Sequence, residues 1–372
     1  MSSPNPSPPL SPSPTQVKHV VLSGGSSIGF WYVGLLQCLE EHHRVWSRDT
    51  LESTWGTSMG GLFAILLCLK NWTWEDLRRY MVYRPLHKIF TLTMDRFFQG
   101  IQQKGLFTKE EIYEVNRPFF QLDNLDLQTI TLQELYDHSK IHVHVFTNEI
   151  VTNTLHDISH ETHPDTLVLD AMAMTASLPG CFIPFCNPET NQIFIDGGLL
   201  CNYPIQQCKL RYPTSPILGV YFIFCDHDHT TTTTTTTTDT DPCQQKKKKY
   251  DTLMDTSMQS YMNYIYTILH LAMHSFYGNR KGCDHSTSTS TYYSCRTNEN
   301  TAKYLFPNDP QIQEIICHPP EFPMSISCMS ELIQSQDKRR EWIEGGYQEG
   351  IGYQEQEPHP HPHPHPHPHD NT

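Results

Sequence analysis

The sequence predicts an α/β protein with three layers, in which helices cover both faces of a mainly parallel central sheet. Strand-like and helical segments alternate between residues 17 and 225, and that order is typical of an α/β/α sandwich. The late segment 217–224 is apolar without interruption, as expected for a strand that is covered on both faces. Beyond it, the composition predicts a smaller C-terminal region of helical and irregular structure.

The first predicted strand, residues 17–23, runs into a glycine-rich loop. The loop reads G-G-S-S-I-G and contains Gly24, Gly25, Ser26 and Gly29. An apolar helical segment follows it directly. A loop between a strand and a helix N-terminus presents several backbone N–H groups to an anion. This segment therefore predicts a place where negative charge is stabilised.

The second predicted strand ends in the sequence W-G-T-S-M-G-G, residues 55–61. Gly56, Ser58 and Gly60 form a G-x-S-x-G pattern, and an apolar helical segment follows. Such a pattern holds a serine in a strained turn from strand to helix, so that its hydroxyl projects beyond the sheet. The next backbone N–H then lies at a helix N-terminus, where an oxyanion is stabilised. The residues alone leave open a second interpretation, in which the serine only caps the helix.

A carboxylate is predicted at the end of a later strand. Residues 193–195 are strand-like and lead into Asp196, Gly197 and Gly198. The two glycines permit tight backbone geometry directly after the carboxylate. A reactive site at Ser58 requires that this segment, the glycine-rich loop and the serine turn meet in space.

Local signals predict the other elements. Capping-box patterns predict helices that begin after Thr73, Thr108 and Thr131. Periodicity and composition predict helices over 30–44, 165–177 and 331–344 and strands over 141–147 and 312–317. The last of these helices is expected to end at Gly345 and Gly346, because glycine commonly follows a helix C-terminus.

Two further features have more than one interpretation. The aromatic segment 83–107 predicts ordinary core packing or, alternatively, the lining of a groove for an acyl chain. His142 and His144 share one face of a predicted strand. Because no third ligand follows at suitable spacing, no metal site is predicted there.

The glycine-rich loop, the serine turn and the Asp-Gly-Gly segment, in this order and spacing, resemble the patatin-like phospholipase family over about residues 17–225. Neighbouring residues agree with the resemblance: Leu22, Ser23, Gly34, Thr57, Met59, Gly61, Ala176, Ser177, Pro179, Pro184, Asn202 and Pro204. The resemblance implies a patatin-like α/β/α fold. It also implies a lipid acyl hydrolase of the phospholipase A type that uses a Ser–Asp dyad without histidine.

The resemblance also assigns roles to residues. It implies that Ser58 attacks the ester and forms an acyl-enzyme, with Asp196 as the base. It implies that backbone N–H groups of the first loop form the oxyanion hole, at Gly24, Gly25, Ser26 and Gly29. It implies no metal and no organic cofactor. The chain departs from the family pattern at Ser26, where a third glycine is usual, and at Ile28, where a basic residue is frequent.

Three alternatives remain open. A Ser–His–Asp triad would need a histidine after the acid, and His227 and His229 occupy that part of the chain. A nucleotide-binding module could use the loop at residues 24–29 for phosphate, although the G-K-[ST] ending is missing. A catalytically weak relative would be explained by Ser26, because serine lacks the backbone freedom of glycine.

The composition predicts how the chain is divided into regions and which class of partner is excluded. The predicted ranges are a Ser/Pro-rich leader at 1–16, an acyl hydrolase domain at 17–225, a low-complexity linker at 226–250, a C-terminal region at 251–350 that packs on or near that domain, and a His/Pro-rich tail at 351–372. The formal net charge of −14 argues against a nucleic-acid partner. The resemblance to the patatin-like phospholipase family implies that the partner is a phospholipid or another acyl lipid.

Location is predicted from the cysteines and from the hydropathy. The chain has 12 cysteines but no C-x-x-C pair, which favours reduced thiols in an intracellular, cytoplasmic protein. The leader lacks the basic and apolar regions of a secretory signal. Because no apolar run is long enough to span a bilayer, we expect peripheral membrane contact. The sequence does not predict an oligomeric state.

Overall fold

The computed structural model describes residues 16–187, 189–222, 309–321 and 326–353. Several predicted segments lie outside the described residues: the leader before residue 16, the linker 226–250, residues 251–308 of the C-terminal region and the His/Pro-rich tail after residue 353.

A central sheet of eight strands organises the described part of the chain, in the order β10-β9-β1-β2-β4-β8-β7 with β5 paired to β4. The strands are β1 His19–Leu22, β2 Ser53–Thr57, β4 His142–Glu149, β5 Thr154–Ile158, β7 Phe185–Cys186, β8 Ile193–Asp196, β9 Ile217–Phe222 and β10 Ile312–Cys317. The pairs from β10 to β4 are parallel, and β5, β8 and β7 join in antiparallel pairs. Two short strands, β3 Gly105–Phe107 and β6 Gly180–Phe182, form a separate parallel pair.

Helices connect the strands and cover the sheet. They are α1 Ile28–Glu41, α2 Met59–Leu66, α3 Trp74–Tyr83, α4 Leu86–Ile89, α5 Met94–Gln103, α6 Lys109–Leu122, α7 Leu132–Ser139, α8 Val168–Ala176, α9 Ile205–Arg211, α10 Ile326–Gln334 and α11 Gln336–Ile351. The capping boxes predicted at Thr73, Thr108 and Thr131 are confirmed. Across the described ranges, no helix combines the length and the apolarity that crossing a bilayer requires.

The residues of β1 show why the sheet needs helices on both faces. Val20 and Leu22 point into the larger core, to which α1 and α2 contribute, and Val21 points into a smaller core beneath α9. Successive side chains of a strand lie on opposite faces, so an uninterrupted apolar strand must be covered twice. The predicted three-layer α/β/α sandwich with a mainly parallel sheet is therefore confirmed.

The C-terminal segment is an integral part of this architecture. β10 extends the sheet beside β9, and α11 packs along α1. The prediction that one helix over 331–344 ends at Gly345 and Gly346 is wrong. Ser335 instead caps a second helix, and both glycines lie inside α11.

The glycines are explained by the close crossing of α1 and α11. A Cβ at Gly346 would overlap the carbonyl oxygen of Trp31, and a Cβ at Gly34 would overlap that of Ile343. A pair of glycines near a helix end therefore has two possible causes, a C-cap or a close approach of backbones. Here the second cause applies.

This crossing generates a stability prediction. Gly346→Ala should destabilise the protein by about 1–3 kcal/mol, because the new methyl group overlaps backbone that cannot rotate away. Gly352→Ala is the matched control, since a Cβ there meets only ordinary contacts, 3.4 Å from the Glu349 carbonyl oxygen. Urea denaturation of both variants measures the difference. A Gly346→Ala variant as stable as Gly352→Ala would contradict the close crossing.

Candidate active site

The G-x-S-x-G segment forms a sharp turn between β2 and α2. Ser58 has φ 55° and ψ −126°, a conformation that costs an L-residue on the order of 1–3 kcal/mol. Two glycines make the turn possible. A Cβ at Gly56 would overlap the carbonyl oxygen of Gly60, and a Cβ at Gly60 would overlap that of Leu22. The backbone therefore lifts Ser58 beyond the sheet at the C-terminal end of β2.

Buried threonine hydroxyls hold this turn against neighbouring elements. The Ser58 amide donates to Thr175 Oγ1 at 2.9 Å, and Thr175 Oγ1 donates to the Phe146 carbonyl at 2.6 Å. Thr57 Oγ1 donates to the Cys201 carbonyl at 2.8 Å. The role of Thr175 was not predicted from the sequence. The feature of the sequence that could have indicated this role is that Thr175 carries the single hydroxyl on an otherwise apolar face of α8.

Asp196 lies at the end of β8, which runs antiparallel to β4 and so arrives beside the serine turn. Its side chain is buried and accepts a hydrogen bond from the Gly198 amide at 2.8 Å. Burial raises the pKa of Asp196 to about 6, against an opposing effect of hydrogen bonds from the Ser58 side chain and the Gly198 amide. Desolvation disfavours the charged carboxylate, whereas both donors favour it. Ser58 and Asp196, predicted to meet, are thus in direct contact.

Gly197 and Gly198 permit the turn that follows the carboxylate. A Cβ at Gly197 would overlap the carbonyl oxygen of Phe146, and one at Gly198 would lie 3.0 Å from Asp196 Oδ1. The two residues begin a short 3₁₀ helix, Gly197–Leu199. They allow the chain to leave β8 without displacing the carboxylate.

The glycine-rich loop meets the same region from β1. Gly25 and Ser26 line the cavity in front of Ser58, and within the described ranges neither backbone N–H has an acceptor. Ser26 adopts φ 49°, in the left-handed region that favours glycine. This conformation explains why the family usually has glycine there.

Two other residues predicted for the oxyanion hole are placed differently. The Gly24 amide donates to the Asn202 carbonyl at 3.0 Å, and Asn202 Nδ2 donates to the Gly24 carbonyl at 3.1 Å. The prediction for Gly24 as an oxyanion donor is therefore wrong, because its N–H already has an acceptor. Gly29 lines the cavity in the first turn of α1, and a Cβ there would lie 2.8 Å from Met59 Sδ.

Ser58 and Asp196 open onto a cavity of about 190 Å³ with a predominantly apolar lining. Apolar side chains from helices, from β3 and β6 and from the segment after α8 line it: Met81, Leu86, Phe90, Phe107, Ile112, Val115, Leu178, Phe182, Met329, Leu332 and Ile333. Phe90 and Phe107 belong to the aromatic segment for which a groove was one interpretation, whereas Phe97 and Phe98 are not in the lining. α10 contributes three of these side chains, so the C-terminal region completes the cavity.

Within the described ranges, no histidine lines this cavity. The triad candidates His227 and His229 lie outside the described residues. His144 instead stacks on Trp55, with ring centroids 3.8 Å apart, and forms a hydrogen bond with Asp157.

A group of three metal-ligating side chain types lies at the N-terminal end of β4, whereas Ser58 follows the C-terminal end of the neighbouring parallel strand β2. It consists of His142, His160 and Glu161, whose ligand atoms lie within 4.8 Å of one another. The sequence analysis identified His142 but missed the other two. The Arg211 guanidinium donates to Glu161 Oε1, so a cation already balances that carboxylate.

A serine in a strained turn, a buried carboxyl group and two backbone amides that have no acceptor among the described residues thus meet at one cavity of an α/β/α sandwich. Comparison with known proteins identifies the family. The sequence profile described as "Patatin-like phospholipase" matches residues 20–209, which is more than half of the chain. The chain therefore belongs to the patatin-like phospholipase family.

Individual relatives are more distant. "Probable lipid hydrolase 463L" of Invertebrate iridescent virus 6 is 28% identical over 196 residues, which are 52% of this chain and 63% of that protein. The chain thus spans less than two thirds of the relative's length.

Among solved structures, VipD from Legionella pneumophila has a TM-score of 0.41 at 14% identity, covering 91% of this chain and 66% of its own. ExoU from Pseudomonas aeruginosa, in complex with SpcU, has a TM-score of 0.31 at 18% identity. That match covers 45% of this chain and 39% of the ExoU chain. These scores are too low to support a structural argument.

The buried carboxyl predicts a pH-dependent stability. The folded pKa of Asp196 is about 6 and its ordinary value is 3.8, so the folded state binds this proton more tightly than the unfolded state. Stability should therefore fall as pH rises from about 4 through about 6, and Asp196→Asn should escape that loss. The variant should gain up to about 3 kcal/mol over wild type between those limits. Urea denaturation across this pH range measures it, and a wild type that becomes more stable relative to Asp196→Asn as the pH rises from about 4 to about 6 would contradict the assignment.

The double role of Thr175 predicts a second stability effect. Thr175→Val leaves the Ser58 amide and the Phe146 carbonyl without their partner, and should cost about 2–4 kcal/mol. Thr175→Ser keeps the hydroxyl and should cost less than about 1.5 kcal/mol. Chemical denaturation of both variants makes the comparison. If valine and serine were equally tolerated, the hydroxyl would not hold the turn.

Proposed function

We propose that this protein hydrolyses fatty-acyl esters of lipids, as a phospholipase A-type enzyme, through a dyad of Ser58 and Asp196. The observation that carries the proposal is the contact between the Ser58 side chain and a buried carboxylate at an apolar cavity. Membership of the patatin-like phospholipase family supports the same reaction class. The printed name of the viral relative, a probable lipid hydrolase, agrees with it.

In the first half-reaction, Ser58 Oγ attacks the ester carbonyl carbon while its proton passes to the Asp196 carboxylate. The tetrahedral intermediate then collapses. The bond to the alcohol breaks, the alkoxide takes the proton from Asp196, and the acyl group stays on Ser58. With a pKa of about 6, Asp196 is ionised at neutral pH and is a stronger base than an ordinary aspartate. A base whose pKa lies near the working pH is the more effective one.

Charge on the carbonyl oxygen is stabilised by backbone N–H groups. Gly25 and Ser26 supply two, and Met59, the first residue of α2, supplies a third that has no acceptor within its own helix. These dipoles are fixed before the reaction, so they need not reorganise as charge develops. Loss of one such donor typically costs about 2.7–4 kcal/mol of transition-state stabilisation.

In the second half-reaction, Asp196 accepts a proton from water as the water attacks the acyl-enzyme. Collapse of the second tetrahedral intermediate releases the fatty acid, and the proton returns to Ser58 Oγ. The chemical steps require no metal and no organic cofactor.

The cavity lining supports an acyl-lipid substrate. Phe90, Phe107 and Leu332 are among the apolar side chains that would surround a hydrocarbon chain, and each buried CH₂ group contributes about 0.8 kcal/mol. We further propose peripheral contact with a membrane, where such substrates reside. An intracellular, cytoplasmic location stays a prediction.

Hydrolysis of a p-nitrophenyl acyl ester tests the proposal. Ser58→Ala should lose at least roughly 10³-fold in kcat/KM, because the nucleophile is removed, and Asp196→Asn should lose a comparable factor. For wild type, log kcat/KM should rise with pH up to about 6 and then level, since Asp196 must be ionised.

The outcomes separate the dyad from its alternatives. Equal rates for wild type and Ser58→Ala would defeat the hydrolase proposal. Activity that disappears with a single histidine substitution would favour a triad instead. A phospholipid with two different acyl chains, digested and analysed by mass spectrometry, then identifies the position that is cleaved.

A further inference from the structure

One face of α5 is apolar and exposed to solvent. Met94, Phe98 and Ile101 are 57%, 58% and 52% exposed, and Leu92, just before the helix, is 48% exposed. The spacing of four and three residues places the first three on one stripe of the helix. We call these four side chains the α5 surface. Contiguous exposed apolar side chains of this kind mark interaction sites more often than scattered ones do.

The helix that carries this surface is firmly held. Thr93 caps its N-terminus by accepting from the Arg96 amide, and Lys104 ends it in the left-handed conformation at φ 65°. On its buried side, a Cβ at Gly100 would lie 2.7 Å from Leu106 Cδ2. The exposure of the α5 surface therefore belongs to a docked helix and is not caused by a frayed end.

α5 also stands beside the cavity. Phe97 packs against a cluster that includes Phe90, Phe107 and Phe182, and these three aromatic side chains line the cavity. The same short helix thus contacts the cavity wall on one side and presents apolar side chains to solvent on the other. A surface in this position adjoins the place where an acyl chain would be bound.

The segment 84–104, which carries the α5 surface, has a net charge opposite in sign to that of the whole chain. Lys88 and Lys104 are exposed, and within the described ranges neither forms an ion pair. Arg96 is paired with Glu111 at 2.8 Å, and Asp95 is the sole acidic residue between residues 84 and 104. A local excess of positive charge on a chain of net charge −14 complements an anionic surface.

We propose that the α5 surface docks the protein on an anionic lipid bilayer. The proposal rests on the proposed function, because a lipid substrate must pass from a bilayer into the adjacent cavity. α5 lies in the interface with Met94, Phe98 and Ile101 among the upper acyl chains, and Lys88 and Lys104 contact the head groups. A short helix with an apolar stripe and flanking basic residues is suited to this arrangement.

Vesicle flotation of the full chain tests the proposal. All proteins carry Ser58→Ala, so that the vesicles are not digested. The triple variant Met94→Gln, Phe98→Gln, Ile101→Gln should partition onto vesicles of phosphatidylcholine and phosphatidylserine about tenfold less than its parent, because it loses apolar burial in the bilayer. The matched control, Val151→Gln with Leu210→Gln, changes side chains that are 74% and 71% exposed elsewhere and should change partition less than about twofold.

The basic residues are tested separately. Lys88→Gln with Lys104→Gln should reduce binding to vesicles that contain phosphatidylserine and leave binding to pure phosphatidylcholine unchanged. Higher salt should reduce binding to the vesicles that contain phosphatidylserine and not binding to pure phosphatidylcholine, because salt screens exposed charges. Equal losses on both kinds of vesicle would contradict a head-group role.

Hydrolysis distinguishes failure of this proposal from failure of the proposed function. With Ser58 intact, the triple variant should hydrolyse soluble p-nitrophenyl butyrate at the wild-type rate and vesicle phospholipid about tenfold more slowly, because its docking is impaired. Inactivity of wild type toward both esters would defeat the proposed function, and flotation would still decide the docking.

Two outcomes would overturn the docking proposal. One is unchanged flotation of the triple variant. The other is a wild type that does not bind vesicles but forms a dimer by analytical ultracentrifugation, which the triple variant abolishes. In that case a second copy of the chain covers the α5 surface.

Discussion

The close approach of three backbone segments at the serine turn is the constraint on which the site depends. β2, the first turn of α2 and the end of β1 come so near one another that a Cβ at Gly56 or Gly60 would overlap a carbonyl oxygen. This packing keeps Ser58 at φ 55°, which an isolated chain would avoid. The surrounding sandwich supplies the free energy that holds the turn, so the position of Ser58 and the packing of the core are linked.

A second link joins Asp196 to the same turn. The carboxylate is buried because β8 enters the sheet beside β4, and burial makes it a better base while disfavouring its charge. Hydrogen bonds from the Ser58 side chain and the Gly198 amide offset part of that cost. Burial of the Asp196 carboxyl therefore lowers the folding stability near neutral pH and raises the proton affinity of that group. Shifted pKa values of this kind are common at reactive sites.

Much of this site could be predicted because its signals are local. Gly56, Ser58, Gly60 and Asp196 lie in short motifs whose glycines follow from turn geometry. Thr175 could not be predicted, because its importance arises only when α8 packs beside the turn. The Gly24 amide was misassigned for a similar reason, since its acceptor on Asn202 is 178 residues away in the chain.

The same distinction explains the fold. Capping boxes predicted three helix starts correctly because cap and helix are adjacent in sequence. Gly345 and Gly346 misled the prediction because local sequence cannot distinguish a helix end from a crossing with α1. His160 and Glu161 were missed because they come close to His142 only in the folded chain, and no regular spacing in the sequence indicates it.

The position of β10 affects how the chain folds during synthesis. β10 pairs with β9 at the edge of the sheet, yet residues 223–311 separate the two strands. Extra length between two paired segments adds little entropy cost once the separation is long, so the number of residues between β9 and β10 can vary at small thermodynamic cost. On the ribosome, however, β9 emerges well before β10 and presents unpaired N–H and C=O groups in the interval. An open strand edge of this kind pairs readily with other chains. Aggregation is therefore favoured until residue 317 has been synthesised and β10 can cover β9.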